Sequence, residues 1–285
     1  MTTVTSARDL RWPDLVWSHF SRPRFGQFDE RVAAAAAAGF AGIGLYAPEY
    51  ERLRHEEGRT AKDIARQLDD HGLALADIET VQGWASSSGE AVAECAHREA
   101  LAYEMADELG CRYLQAIGPY EGSVEDAAEG FGRLCDRAAE HGLLVGIEWL
   151  PYTNIATAAD ARAIVEAAGR ANGGYCADIW HHRRGSDDDA QVRALAGDRV
   201  FAVQMNDGPR RPQLDDYKPD CMAHRLPPGA GELDCVGFVR LLAEIGVRSP
   251  ISLEICSTEL WAAPAEEAAR RAADGMRAVL AEAGV

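Results

Sequence analysis

The 285-residue chain lacks most of the signals by which nucleotide, nucleic-acid and membrane proteins are recognised. No GxGxxG follows a predicted strand and no GxxxxGK[ST] occurs, so neither glycine-rich phosphate-binding turn is present. Acidic residues outnumber basic ones by 46 to 29, which gives a formal net charge of −17. Because nucleic acid and anionic membranes are bound by basic surfaces, this charge argues against both as partners.

Other absences concern cysteine pairs, apolar runs and lysine clusters. The seven cysteines are odd in number and contain no CxxC pair, which indicates reduced, buried thiols and no disulfide framework or zinc ribbon. No run approaches the roughly 18 apolar residues that span a bilayer, and the N-terminus has no apolar core of a secretory signal. We therefore expect a soluble cytoplasmic protein. The lack of a lysine cluster favours a substrate without phosphate.

Strand-like and helix-like segments alternate eight times along the chain. Strands are predicted at 14–20, 41–46, 73–80, 111–118, 143–150, 174–180, 200–207 and 250–256. Helices are predicted at 28–39, 60–72, 89–110, 123–142, 157–169, 187–197, 233–246 and 264–283. This count and size are typical of an α/β protein with a single-domain (β/α)₈ TIM barrel over residues 1–285. A doubly wound sheet is the alternative, but it would usually need fewer strands or a glycine-rich turn.

Four predicted strands each carry one oxygen-bearing side chain near the C-terminal end, where barrel active sites lie. These side chains are Glu148, Asp178, Gln204 and Glu254. Two positions earlier each strand has a small residue, namely Gly146, Cys176, Ala202 and Ser252. Since residues two apart share a face of a strand, we expect the four polar groups to point into a common, sparsely filled interior.

The chemistry of this set indicates a metal site. Three carboxylates brought together repel one another unless a cation lies among them. Carboxylate and amide oxygens suit a hard divalent ion, so Mn²⁺ or Mg²⁺ is expected first, with Co²⁺ or Zn²⁺ as alternatives. Any one of these residues alone is more often a salt-bridge partner or a solvated strand end, but four in matching register favour a site.

A divalent ion bound to a carbonyl and the adjacent hydroxyl makes the neighbouring C–H group more acidic. Glu148 or Glu254 could then remove the proton as general base. Return of the proton to another face or carbon gives epimerisation or isomerisation. Loss of a hydroxyl, assisted by an acid such as His181, gives dehydration. All three reactions share one intermediate, so the residues at the metal do not distinguish them.

The segments that hold these residues resemble the xylose-isomerase-like TIM-barrel superfamily of sugar epimerases, keto-sugar isomerases and related dehydratases (the sugar phosphate isomerase/epimerase family). The matching segments are GIEWLP (146–151), DIWH (178–181), QMNDGPR (204–210), SLEI (252–255) and PGAGELD (228–234). The resemblance implies that the metal ligands are Glu148, Asp178, Gln204 and Glu254. It also implies that His181 and Arg210 contact the substrate.

Further side chains near the predicted strand ends are candidates for the pocket wall. Trp149 and Trp180 could stack on a sugar ring, although core packing is the commoner role of a single tryptophan. Glu79 at the end of the third strand is a spare carboxylate. His224 and Arg225, in a loop of about 25 residues after the seventh strand, could close over the substrate.

Gln204 departs from the sugar 3-epimerases, which typically have histidine there, and is similar to hydroxypyruvate-isomerase-like and dehydroshikimate-dehydratase-like members. The first expectation is a metal-dependent isomerase or epimerase of a sugar or keto-polyol. The alternative is a dehydratase (lyase) of an inosose- or dehydroshikimate-like cyclic ketopolyol, and a non-catalytic barrel that serves as a binding subunit is a third possibility. The expected partner is a small polyhydroxylated substrate, and a homo-oligomer is left open.

Overall fold

The computed structural model describes residues 10–285 and shows a closed barrel of parallel strands in this part of the chain. The strands are β1 (Leu15–Trp17), β2 (Gly42–Tyr46), β3 (Ala74–Val81), β4 (Tyr113–Ile117), β5 (Leu144–Glu148), β6 (Gly173–Asp178), β7 (Val200–Met205) and β8 (Ile251–Leu253). Each strand pairs with its successor, and β8 pairs with β1. This closure confirms the predicted (β/α)₈ barrel and excludes a doubly wound sheet. Residues 1–9, which include much of the N-terminus considered above for a secretory signal, lie outside the described residues.

Twelve α-helices surround the barrel within residues 10–285. They are α1 (Phe28–Ala37), α2 (Ala47–His55), α3 (Ala61–Asp70), α4 (Gly89–Leu109), α5 (Val124–Glu140), α6 (Ala158–Ala168), α7 (Ile179–Arg183), α8 (Asp189–Arg193), α9 (Tyr217–Ala223), α10 (Cys235–Glu244), α11 (Thr258–Ala262) and α12 (Ala265–Ala283). Eight of these correspond to predicted helices. The other four, α2, α7, α9 and α11, are short and lie in the loops that follow strands. None of the helices in the described chain is long and apolar enough to cross a membrane.

Local sequence signals explain where the main helices begin. The side chains of Thr60 and Ser123 accept the backbone N–H of Asp63 and Asp126, and each aspartate accepts the N–H of its cap residue in return. These reciprocal bonds satisfy N–H groups that have no partner inside the helix. Ser123 therefore caps α5 at the predicted start of this helix, and α4 ends as predicted at Gly110 in the left-handed conformation.

The sixth strand ends earlier than predicted. It was expected to run to residue 180, but it stops at Asp178, because the Asp178 carboxylate caps α7 by accepting the N–H of Trp180 at 2.6 Å. Trp180 and His181 therefore lie on a helical turn and not on a strand. The helix expected at 187–197 is also shorter, since α8 ends at Arg193.

The barrel interior beneath the four polar groups is filled and not sparse. The ring of Tyr113 packs there against Cys176 and Ala202. A β-carbon added to Gly146 would lie 2.8 Å from the Tyr113 ring, closer than van der Waals contact allows. The small residues on neighbouring strands thus accommodate one large aromatic ring, which corrects the expectation of empty space. The polar groups rest on this layer.

Gly146→Ala is expected to destabilise the protein by about 2 kcal/mol, because the added methyl group overpacks the Tyr113 layer. Gly89→Ala is the matched control, since a β-carbon there meets no atom within 4 Å. Urea denaturation measures both. Combining Gly146→Ala with Tyr113→Leu should cost less than the sum of the two single changes. Equal stability of the two glycine variants would contradict the packing account.

Candidate metal and substrate site

The four predicted polar groups lie together at the C-terminal end of the barrel. Glu148 and Asp178 are the last residues of β5 and β6, Gln204 lies in β7, and Glu254 directly follows β8. Their exposed fractions are 4%, 1%, 2% and 5%, respectively. Asp178 is level with Gln204 in the strand register, and Gln204 is level with Ser252. The barrel therefore brings the predicted ligand set to one buried place.

Arg225 lies among the carboxylates and joins two of them. Its Nη1 atom donates to Asp178 Oδ2 at 2.8 Å and to Glu254 Oε2 at 2.7 Å. The side chain is 1% exposed. A buried guanidinium needs such partners, because an unpaired charge in the interior is costly. Arg225 was expected only to close over the substrate, but it forms part of the floor of the site.

Asp207 holds the loop that carries Arg225. Its carboxylate accepts backbone N–H groups from Gly229, Gly231 and Leu233 at 2.9–3.0 Å. Its own backbone forms an antiparallel bridge with Leu226. These bonds fix the PGAGELD segment against the end of β7. The long loop after β7 thus places Arg225 in the buried floor of the site.

The hydrogen bonds of His181 define its tautomer. Arg225 Nη2 lies 3.2 Å from His181 Nε2, and a guanidinium can only donate. Nε2 is therefore the acceptor, so Nδ1 carries the proton and donates to Tyr217 Oη at 2.9 Å. The Nε2 lone pair also faces Glu148 Oε1 at 3.4 Å and Asp178 Oδ2 at 3.8 Å. A neutral imidazole can bind a cation through this lone pair once the hydrogen bond from Arg225 is released.

The donor atoms of Glu148, Asp178 and His181 fit a divalent ion. One ligand atom from each lies within 4.8 Å of the other two. Ligands about 2.1 Å from an ion in tetrahedral geometry are about 3.4 Å apart, close to the distances between Nε2 and the two carboxylates. The structure thus contains a candidate metal site, and it adds His181 to the residues able to hold the ion.

Gln204 and Glu254 contact this site through hydrogen bonds. The Gln204 amide nitrogen lies 3.3 Å from Glu254 Oε1 and 3.2 Å from Gln115 Oε1. The Gln204 carbonyl oxygen accepts instead from Cys176 Sγ at 3.4 Å. In this orientation Gln204 presents a donor to the carboxylates, and a flip of its amide would present the oxygen. The assignment of Gln204 and Glu254 as ligands stays a prediction.

Burial and mutual repulsion change the acidity of the carboxylates. The pKa of Glu148 is raised well above its ordinary value by burial, then by Glu254 and Asp178. Burial raises the pKa of Glu254 to about 7, although Arg225 opposes the shift. Burial would also raise the pKa of Asp178, but Arg225 and His181 hold it below the ordinary value. Burial lowers the pKa of His181 to about 3, so the imidazole is neutral near pH 7.

A cavity of about 270 Å³ opens above these groups. Its floor includes Glu148, His181, Arg225 and Glu254. Its wall is formed by aromatic, aliphatic and polar side chains that include Phe20, Tyr46, Gln115, Ile117, Leu150 and Tyr152. A pocket with apolar walls and a few convergent polar groups is typical of a small-molecule site.

Three predicted substrate contacts do not line this cavity. Trp149 and Trp180 are at most 1% exposed and pack in the core. Arg210 is about half exposed and pairs with Asp187 in the outer loop. The arginine that the structure places at the cavity is Arg225, which also lies in the loop after β7. As substrate contacts, these three residues stay predictions that the geometry does not support.

Gln115 and Tyr217, at the site, had little or no sequence signal, whereas Glu79 was predicted as a spare carboxylate. Gln115 Nε2 donates to Glu148 Oε2 at 2.6 Å and so orients this carboxylate. Glu79 is buried away from the cavity, where it accepts from Ser18 Oγ and the His19 backbone. Tyr217 belongs to α9, a short helix that no motif indicated. Only its closeness in space to His181 identifies it.

The free energy of unfolding of the metal-free protein is expected to fall as pH rises from about 6.5 to about 8, above the range in which the lowered pKa of His181 makes stability rise with pH. Folding raises the pKa of Glu148 and Glu254 above the unfolded value of about 4.3. This stabilisation is complete below the unfolded pKa and is lost as pH rises through about 7, the pKa of Glu254 in the folded chain. Urea denaturation with a chelator present measures the trend.

Glu254→Gln should make that decline shallower, whereas Glu129→Gln, which removes an exposed carboxylate, should keep the wild-type slope. Saturating Mn²⁺ should remove most of the decline, because the ion binds the ionised form. If the free energy of unfolding of the metal-free protein instead rises over this pH range, the carboxylates do not destabilise one another in the folded chain.

The chain is similar in sequence to a known family and to curated relatives. Residues 32–279 match the family model described as xylose isomerase-like TIM barrel. A 3-dehydroshikimate dehydratase of Pseudomonas aeruginosa is 29% identical over 262 residues, which are 90% of this chain and 40% of that protein. An inosose isomerase of Bacillus velezensis is 26% identical over 186 residues, which are 61% of this chain and 64% of that protein. The chain thus spans about two fifths of the length of the dehydratase it matches.

Solved structures share the fold. A crystal structure described as IOLI protein with a binding zinc atom has a TM-score of 0.84 and 19% identity, covering 94% of this chain and 98% of that one. An L-ribulose 3-epimerase has a TM-score of 0.74 and 19% identity, covering 95% and 96%. At this identity the likeness shows the fold alone. Because the family model spans most of the chain, the protein belongs to the xylose isomerase-like TIM-barrel family.

Proposed function

We propose that the chain uses a divalent ion to remove a proton beside the carbonyl of a cyclic ketopolyol and then eliminates a hydroxyl as water. The observation that carries this proposal is the grouping of Glu148, Asp178 and His181 around one point beside Glu254, at the floor of the cavity. The family contains dehydratases, isomerases and epimerases among the relatives and neighbours of this chain.

Dehydration is placed first because the dehydratases match 90% of the chain. Gln204 argues against a sugar 3-epimerase but does not separate dehydration from isomerisation, since its resemblance is to dehydroshikimate-dehydratase-like and hydroxypyruvate-isomerase-like members alike. Isomerisation is the second candidate, supported by the inosose isomerases that match 50–61% of the chain. The first sequence expectation, an isomerase or epimerase, thus becomes the alternative here.

Glu148, Asp178 and His181 would hold the ion, with Gln204 and Glu254 able to join them. When bound, the ion withdraws electron density from the substrate carbonyl and so makes the neighbouring C–H group more acidic. Mn²⁺, Co²⁺ or Zn²⁺ is preferred, because the His181 imidazole suits these ions and Mg²⁺ prefers oxygen donors. His181 acts as a ligand in this scheme and not as a general acid, since its pKa of about 3 leaves the imidazole neutral.

Glu254 is the proposed general base. A pKa of about 7 matches neutral conditions and lets this carboxylate both accept and return a proton. Arg225 Nη1, at 2.7 Å from Glu254 Oε2, fixes the position of this carboxylate. The C–H electron pair then forms the new double bond as the C–O bond breaks. The proton held by Glu254 passes to the departing hydroxyl, so water leaves and the carboxylate is restored.

Incubation of the Mn²⁺-loaded chain with 3-dehydroshikimate and an inosose in D₂O, followed by NMR, tests the reaction. Dehydration should remove the α-proton signal and produce a new unsaturated product. Exchange of deuterium without loss of water would identify the isomerase alternative. Glu254→Gln should lower the rate by about a hundredfold or more, whereas Glu129→Gln should leave it unchanged. A fully Mn²⁺-loaded protein that exchanges no proton in any cyclic ketopolyol would refute the proposal.

A further inference from the structure

Positively charged side chains gather where the cavity opens to solvent. We call Arg24, Arg98 and Lys218 the cationic mouth, and all three line the cavity. They come from separate parts of the chain, namely the loop after β1, helix α4 and helix α9. The chain carries a net charge of −17 and only two lysines, of which Lys218 is one. A local excess of cations in an acidic protein creates a potential that attracts an anion.

Two of these cations have no counterion among residues 10–285. Arg98 pairs with Glu94 at 2.7 Å. The charged ends of Arg24 and Lys218, by contrast, form no hydrogen bond or ion pair with a described side chain. The Arg24 guanidinium lies over the Tyr46 ring at 5.9 Å, and Lys218 Nζ lies 5.8 Å from the centre of the Tyr152 ring. Aromatic faces hold both groups at the opening while leaving their N–H donors free.

The two ends of the cavity therefore differ in charge. The carboxylates of the floor suit a metal cation, and this cation can in turn bind an uncharged hydroxyketone. The mouth offers free ammonium and guanidinium groups. A molecule that satisfies both ends has an uncharged carbonyl at one side of a ring and an anionic group at the other. A volume of about 270 Å³ suits one such ring.

We propose that the substrate is a cyclic ketopolyol that carries a carboxylate, and that Arg24 and Lys218 bind this carboxylate at the mouth. The proposal rests on the proposed function and narrows its substrate class, because an inosose has no anionic group. A carboxylate is favoured over a phosphate because the sequence lacks a phosphate-binding turn. Charge-assisted hydrogen bonds to Arg24 and Lys218 would also orient the ring above Glu254.

The test compares 3-dehydroshikimate with its methyl ester, which differ in charge at one position. With the Mn²⁺-loaded full chain, kcat/KM should be about tenfold or more higher for the acid, mainly through KM. Added salt should reduce this preference, since the contacts are exposed. Isothermal titration of both compounds gives binding constants that do not depend on turnover.

Variants separate the mouth from general effects. Lys218→Met and Arg24→Gln should each lower kcat/KM for the acid about tenfold and leave the ester unchanged. Lys218→Arg should restore most of the loss, because it keeps the charge. Lys62→Met removes the other lysine, which is exposed on α3, and should change neither compound. Metal affinity should be the same in all four variants.

Equal handling of acid and ester, or equal losses on both in Lys218→Met, would overturn the carboxylate site while leaving the proposed reaction intact. If neither compound is deprotonated, the proposed function fails. Only the isothermal titration then tests the carboxylate site. Tighter binding of the acid that depends on Lys218 and Arg24 would then still support the site. No difference in binding between acid and ester would refute it.

Discussion

The confinement of three carboxylates at the end of one barrel is the constraint on which the site depends. Glu148, Asp178 and Glu254 are almost completely buried, and burial together with repulsion among the carboxylates raises the pKa of Glu148 and of Glu254. Arg225 reduces this repulsion by bridging Asp178 and Glu254. One guanidinium cannot neutralise three ionised carboxylates, so full ionisation of Glu148 and Glu254 requires a further positive charge. A divalent cation satisfies that demand, which links the electrostatics of the fold to its proposed chemistry.

Several side chains other than the three carboxylates position the groups of the site. Asp207 ties the PGAGELD segment to the end of β7, and this segment begins three residues after Arg225. Tyr217 accepts from His181 Nδ1 and leaves the Nε2 lone pair directed at the carboxylates. Gln115 fixes the orientation of Glu148 from the neighbouring strand. The loop after β7, together with Gln115 of β4, thus orients the functional side chains.

The barrel and the grouping of its polar strand ends could be predicted from sequence, because strand periodicity, helix caps and the βα count are local signals. Arg225 could be named only as a possible cover, since its burial depends on how a loop of about 25 residues folds back. Arg210 was assigned to the substrate through the resemblance, yet Arg210 pairs with Asp187 in the exposed loop. No sequence pattern indicated the cationic mouth. Arg24, Arg98 and Lys218 meet only after three separate elements pack around one opening.

The position of the bound metal shows whether Glu148, Asp178 and His181 form the site. Anomalous diffraction at the manganese edge, from crystals grown with Mn²⁺, would locate the ion without reference to turnover. We expect one strong peak per chain within about 2.5 Å of oxygen atoms of both Glu148 and Asp178, with His181 Nε2 also in contact. A Mn²⁺-saturated crystal with no peak at the carboxyl ends of β5 and β6 would contradict it. That result would favour a barrel that binds its partner without metal-dependent chemistry.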